Sequence, residues 1–412
     1  RIKNVKVLLF ISLLDSFLFC IFRYMTKYLK YFISTLLLIL AIYICPISIY
    51  YPTYFFIGFS LTIILGDIFF KKDITIEKYS YPILINMPIY INLPLLLILI
   101  SMTVYIFGDF QSRWVTEIFS AYLYIDLLDM KNSVSLVDKI SLVAITSLFI
   151  GVMGTVPGHE LTHRKKNKFD MFFGNWLLSL SWDCTFAIEH VYGHHKNVGL
   201  PDDPATAKRG ENIYAFIFRA TIKEHIDAWK IEFQRLKIKK HNPYGLHNRM
   251  IMGYLRSLFI TIIAYLIGGF SGIMVYLLCA FIAKALLEVI NYTEHYGLVR
   301  EPGESVKPKH SWNSNDVMSS TLLYNVTRHS AHHEKSNLKF WELKSYPDAP
   351  MMPQGYLSML YLAIFLPYFY HKIMAKKLIH WDLNYASSGE KEIAKTQNKK
   401  SGIKLLVESG KA

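Results

Sequence analysis

The stretch PGHELTHRKK, residues 157–166, follows directly on an apolar run, residues 140–156. Within it His159-Glu160-Leu161-Thr162-His163 reads H-E-x-x-H. Two imidazoles lie one helical turn apart, with a carboxylate beside the first, a pattern by which a helix offers a metal two nitrogen ligands. Its setting decides the fold. The ligands lie either on a buried helix of a soluble domain or at the end of a membrane helix.

Composition favours the membrane. Of the 412 residues, 52% are hydrophobic and 15% aromatic. Apolar runs recur over residues 31–50, 54–70, 89–107 and 140–156, close to the roughly 20 helical residues that cross a bilayer. A longer run, 257–290, is interrupted by Gly268, Gly269 and Gly272 and reads as a hairpin of two helices. These runs have no polar face for water, which argues against buried soluble helices. The expected fold is an all-α integral membrane protein with about six transmembrane helices and a His-rich cytoplasmic metal-binding region. Residues 1–27 include an apolar segment, 5–22, with Asp15 near its middle. It reads as a seventh span, an interfacial helix or an uncleaved signal-like stretch. Residues 28–157 then hold four spans, 158–250 a cytoplasmic segment, 251–290 the hairpin, 291–389 a second cytoplasmic segment and 390–412 a Lys-rich flexible tail. Within the second cytoplasmic segment, the short apolar run 357–370 reads as interfacial or re-entrant.

Lys and Arg crowd residues 23–30, 71–78, 164–249 and the chain after 300, while 45–53 and 268–272 are uncharged and 108–138 carries more acids than bases. Cytoplasmic loops hold the Lys/Arg excess. The basic segments therefore face the cytoplasm, and all 15 histidines fall on that side. The formal net charge of +14 follows from topology and anionic lipid headgroups. No nucleic-acid motif accompanies it. Four scattered cysteines form no C-x-x-C, so a cysteine zinc site, an iron–sulfur site or a fused rubredoxin is unsupported.

The histidines come in clusters: His159 and His163; His190, His194 and His195 in EHVYGHH; His295 in NYTEHYGL; His329, His332 and His333 in RHSAHH. Residues three and four apart share a helix face, so each multi-histidine cluster can aim its rings at one point. A catalytic zinc takes about three protein ligands. A zinc protease built on His159 and His163, with Glu160 as base, would leave the other clusters idle. Nine imidazoles suffice for two metals. Imidazole itself suits zinc, copper, iron and nickel.

H-x3-H, H-x3-H-H and H-x2-H-H together resemble the three-box pattern of integral-membrane non-haem diiron desaturases and hydroxylases. NYTEHYGLVR, HSWNSN (310–315) and DDPATAKRG narrow the resemblance to the alkane 1-monooxygenase and xylene monooxygenase branch, over about residues 27–382. It implies six spans, two iron ions held by the nine histidines, O2 as co-substrate, and hydroxylation of a terminal methyl group of a hydrophobic substrate such as a medium-chain n-alkane. Xylene-type substrates, or a fatty-acyl desaturase or hydroxylase activity, are the neighbouring alternatives. It also implies a bacterial-type inner membrane and a separate electron donor: rubredoxin with its reductase, or a flavin/iron–sulfur reductase. Thr327 and Ala331 stand where alkane hydroxylases usually show Gln and Asp. Val191 and Tyr192 resemble xylene-type members.

Glu160, Glu189, Asp203 and Glu294 stand beside the clusters as hydrogen-bond partners for ligand imidazoles, whose second nitrogen needs one. Lys284 and Glu288, i and i+4 in the last span, read as facing the metal chamber, because ionisable groups in membrane helices face the interior. Asp67 has Lys71 as an i+4 partner. His310 reads as a hydrogen-bonding residue; His225, His241, His247, His371 and His380 read as surface histidines. Phe55 and Phe59, also i and i+4, either pack on a neighbouring helix or line a substrate tunnel.

Overall fold

A computed structural model describes residues 26–411. The apolar segment 5–22 lies outside the described residues. Every regular element among them is a helix; pairing between extended segments is confined to two isolated bridges, Lys72 with Asp316 and Asn313 with Met351.

Helix α1 spans Phe32–Ile44, α2 Tyr51–Phe69 and α3 Pro82–Phe107. A continuous helical stretch, α4, runs Leu136–His163. Past it come α5 (residues 186–197), α6 (Ile213–Ile238) and α7 (Arg249–His295). The chain closes with α8 (His329–Glu334), α9 (Tyr356–Phe365), α10 (Pro367–Asn384), α11 (Ser388–Lys400) and α12 (Lys404–Ser409); further helices, the longest of them Lys168–Ser179, lie between the labelled ones. Four stretches, α2, α3, α4 and α7, are long and apolar enough to cross a membrane; α1 and α9 are shorter apolar helices. At a 1.5 Å rise, the 26 residues of α3 reach about 39 Å, beyond the ~30 Å hydrocarbon core.

Side-chain placement fits lipid rather than water outside. On α2, Ile57, Leu61, Leu65 and Ile68 share one face and are each about half exposed, while Phe59, Ile63 and Asp67 on the other are buried. An uninterrupted apolar stripe of this kind marks a membrane-facing surface.

The hairpin expected within 257–290 is the single element α7, reversed at Gly269 (φ 65°, ψ −149°). Ser257 Oγ and Tyr276 Oη donate to the same carbonyl, Ser179 O, at 3.0 and 3.4 Å. In a straight helix those residues would lie about 28 Å apart. They meet because the chain doubles back. Asn248 caps the first arm, accepting from Met250 N at 2.8 Å.

Two sequence expectations change here. Asp67 ignores Lys71 and accepts from Ser319 N (3.0 Å), Ser319 Oγ (2.7 Å) and Ser358 Oγ (2.7 Å), tying α2 to the short helix Val317–Leu322 and to α9. The flexible tail is largely α11 and α12. Ser387 and Glu390 form a capping box at the start of α11, and Glu390 and Leu406 are buried. Glu390 meets partners in the metal-bearing region that the local sequence does not reveal.

Candidate metal centre

The nine histidines converge from four directions. His159 and His163 end α4, just after a turn of wide, π-type helix over Ile150–Thr155. The second box lies in α5, His295 is the last residue of α7, and the third box forms α8. Their ring nitrogens fall into two groups. His159, His163, His190, His195 and His332 form one; His194, His295, His329 and His333 form the other.

The second and third boxes are therefore shared between groups, while the first stays whole, as the i, i+4 spacing implies. His190–His194 is a π-type turn. A π turn aligns i with i+5, so His190 Nε2 lies 3.1 Å from His195 Nε2, while His194 joins the other group, 3.3 Å from His333 Nε2. In α8, His329 and His333 pair at 2.9 Å, and His332 turns toward His159 (3.1 Å) and His195 (3.0 Å). His159 and His163 pair at 3.0 Å.

The proton inventory fits a cation. His295 Nδ1 donates to His310 O at 3.2 Å, so its Nε2 is bare. His194 Nδ1 lies 3.0 Å from Asp203 Oδ2, which leaves its Nε2 bare as well. His295 Nε2 faces His329 Nε2 at 3.0 Å, and His329 Nδ1 lies 3.3 Å from Glu294 Oε1. Lone pairs gathered at such distances repel unless a cation lies among them. Ligands about 2.1 Å from one ion and at right angles around it are about 3.0 Å apart. Burial holds His190, His195, His329 and His333 well below the usual imidazole range and His332 at about 3. These rings are neutral, as metal ligands must be.

A fatty acid desaturase family model matches residues 140–363, more than half of the chain. Alkane 1-monooxygenase 2 of Alcanivorax borkumensis is 34% identical over 63% of this chain and 68% of its own length. The alkane 1-monooxygenase of Acinetobacter baylyi is 33% identical over 73% of each chain. The chain belongs to the alkane and xylene monooxygenase family. It shares 34% identity with the xylene/toluene monooxygenase hydroxylase component of Pseudomonas putida, over 62% of this chain and 69% of that one. Membership makes the protein an oxygenase and an integral membrane protein, and together with the histidine groups it supports a non-haem iron centre.

The monooxygenase's acids divide by partner. Asp203 holds His194, and Thr206 Oγ1 holds Asp203 at 2.6 Å. Burial alone would raise the Asp203 carboxyl, but His194 and Thr206 keep it below its usual range. Glu294 lies beside His329. Glu160 differs from expectation: its carboxylate accepts from Arg164 Nη2 at 2.7 Å, not from an imidazole. That engagement, with five histidines in its group, leaves no zinc-protease arrangement. Glu189 is buried and hydrogen-bonds no imidazole among the described residues. Burial, then Asp203, pushes its carboxyl well up. Lys284 and Glu288 form a local ion pair at 2.5 Å, with Lys284 also 3.0 Å from Asp183 and 2.8 Å from Glu224. Neither hydrogen-bonds an imidazole among the described residues. Glu224 could have been found in the sequence: Ala220, Glu224, Ala228 and Glu232 make a buried i+4 stripe on α6.

A closed apolar seam of about 10 Å³ lies between α4 and the second arm of α7, lined by Val152, Val156, Leu286, Ile290, Leu323 and Leu357 among others. Phe55 and Phe59 are not in its wall. Their rings lie 6.1 and 5.1 Å from Phe149 and pack against it.

Proposed function

We propose that the protein hydroxylates the terminal methyl group of a hydrophobic substrate, a medium-chain n-alkane giving a primary alcohol, at a centre of two iron ions. The observation that carries this reading is the division of nine imidazoles, seven buried and two half-buried, into groups of five and four whose ring nitrogens converge. The reaction is RCH3 + O2 + two electrons + two protons, giving RCH2OH + H2O. Bound iron supplies the activation of O2.

The chain supplies the rest. The imidazoles hold the metals, and Asp203 and His310 O fix ring orientation, which sets ligand basicity. Val152, Val156 and Ile290 line an apolar seam on the helices that end at His159 and His295; the seam excludes water and widens to admit a chain. The substrate dissolves in the bilayer and reaches the seam between helices. In this reading α1 to α4 and the two arms of α7 make six spans in a bacterial-type inner membrane, and the Lys/Arg distribution puts the histidines on the cytoplasmic side. Electrons come from a separate soluble donor: rubredoxin with its reductase, or a flavin/iron–sulfur reductase.

The similarity to the xylene/toluene component and the residues Val191 and Tyr192 favour one second reading, hydroxylation of an alkyl-aromatic methyl group. Iron-loaded protein reconstituted with a donor system and given octane, a long alkane and xylene separates the two by the alcohol formed. Two irons per chain are expected. A single zinc, or no alcohol from any of the three with iron loaded, overturns the proposal.

A further inference from the structure

The C-terminal helices reach the metal-bearing region through a chain of hydrogen bonds. Glu390, on the first turn of α11, is fully buried. Its Oε1 accepts from His310 Nε2 at 2.7 Å, and Lys309 pairs with its other oxygen. His310 Nδ1 accepts from Lys307 N at 3.0 Å, so the ring proton sits on Nε2 and points at Glu390. The His310 carbonyl in turn accepts from His295 Nδ1 at 3.2 Å. One carboxylate thus fixes a ring whose main chain fixes a second ring.

A parallel clamp acts just past His295. Arg209 Nε donates to Gly297 O at 2.8 Å. Its guanidinium is held from the C-terminal side by Asp382, at 2.6 Å to each oxygen, and by Asn398 Oδ1 at 2.8 Å. Trp381 Nε1 donates to Lys309 O at 2.7 Å, pinning the turn that carries His310. These long-range bonds hold the two backbone segments that flank and orient His295, the turn at His310 and the chain just past His295.

We propose that residues 381–398 are a positioning element of the four-histidine site, with Glu390 setting the orientation of His295 through His310. This rests on the reading that His295 binds iron. Outer partners of a metal-bound imidazole change metal affinity about 10- to 100-fold when removed. The effect falls first on the group of His194, His295, His329 and His333, because His295 bonds directly to the His310 main chain; the five-histidine group is reached only indirectly, through Ser330 of α8, which donates to Pro308 O at 2.9 Å.

The test is full-length, iron-loaded protein in detergent, followed by Mössbauer spectroscopy and by the rate of iron release to a strong iron(II) chelator. Glu390→Ala should speed release from one of the two iron sites about ten-fold and alter that site's signal more than the other's. Glu392→Ala, exposed on the same helix, should change neither. Glu390→Gln keeps an acceptor for His310 but loses the charge opposite Lys309. It should shift the same signal by less, and it serves if the alanine variant does not fold. Equal loosening of both sites, or no change in either, overturns the proposal. His295→Ala separates this from the metal assignment: if that variant keeps both irons, the assignment itself falls.

Discussion

His332 shows how one side chain can matter beyond its box. It lies in α8 with His329 and His333, yet its Nε2 meets His159 and His195 of the other group. His332→Ala should abolish hydroxylation and lower iron content, while His380→Ala, at an exposed position, should do neither; metal analysis beside product assay checks both. The phenylalanines carry a second residue-scale expectation. Phe59 packs on Phe149 outside the seam, so Phe59→Val should cost about 1–3 kcal/mol of stability and leave the chain-length profile unchanged. Leu357→Phe narrows the seam and should shift preference toward shorter substrates. Product ratios from a mixture of alkanes distinguish the two. The reverse pattern would put Phe59 on the path.

At the scale of elements, α7 depends on its reversal. Gly269 adopts positive φ, and a Cβ there would come within 2.6 Å of Asp109 Oδ2. Gly269→Ala should lower stability by more than about 1 kcal/mol, whereas Gly58→Ala, with open space around it, should not. Thermal unfolding in detergent reports both. Helix α6 is anchored by Glu232, which accepts from Arg235 Nε and Arg249 Nε, each at 2.9 Å. Burial acts to raise its carboxyl, but the two guanidinium groups overcome this and bring it from 4.5 down to about 2. A depressed carboxyl contributes stability fully above its unfolded value, and that contribution is lost as the pH falls from about 4.5 through about 2. Glu232→Gln should therefore destabilise at pH 7, with the gap to wild type closing below about pH 4.5. A gap independent of pH would assign the loss to packing alone.

For the whole molecule, the charge of +14 bears on electron supply. In the proposed orientation the Lys- and Arg-rich segments lie on the same side of the membrane as the histidines. An acidic donor would be steered there, and salt would weaken the steering. Turnover measured at limiting donor should fall as ionic strength rises. A rate insensitive to salt under those conditions removes charge-guided docking. The same scale explains why C-terminal residues matter at a site formed mostly before residue 334. Arg209, Trp381 and Glu390 act across 70 or more positions of sequence.

The helical class, the membrane character and the nine histidines were legible in the sequence because each is a local property. Apolar run length sets a span, and imidazoles recur at helical spacing. The Gly268-Gly269 reversal was legible for the same reason, since glycine tolerates a backbone conformation that other residues resist. The grouping into five and four was not legible. Regular α-helical spacing sends His190 and His194 to one point, and only the wide turn in α5, packed among α4, α7 and α8, turns His194 away. The bond from Arg164 to Glu160 was open to the same local reading, since the two are i and i+4 on one helix. Local sequence did not show that Asp67 would bond Ser319 and Ser358, or that a Lys-rich terminus would fold. Glu390 lies in a polar, lysine-rich segment with no apolar period to mark a buried helix. Its burial follows from partners far away in the chain, Lys309 and His310, and the tertiary structure alone brings a carboxylate to the donors that make burying it favourable.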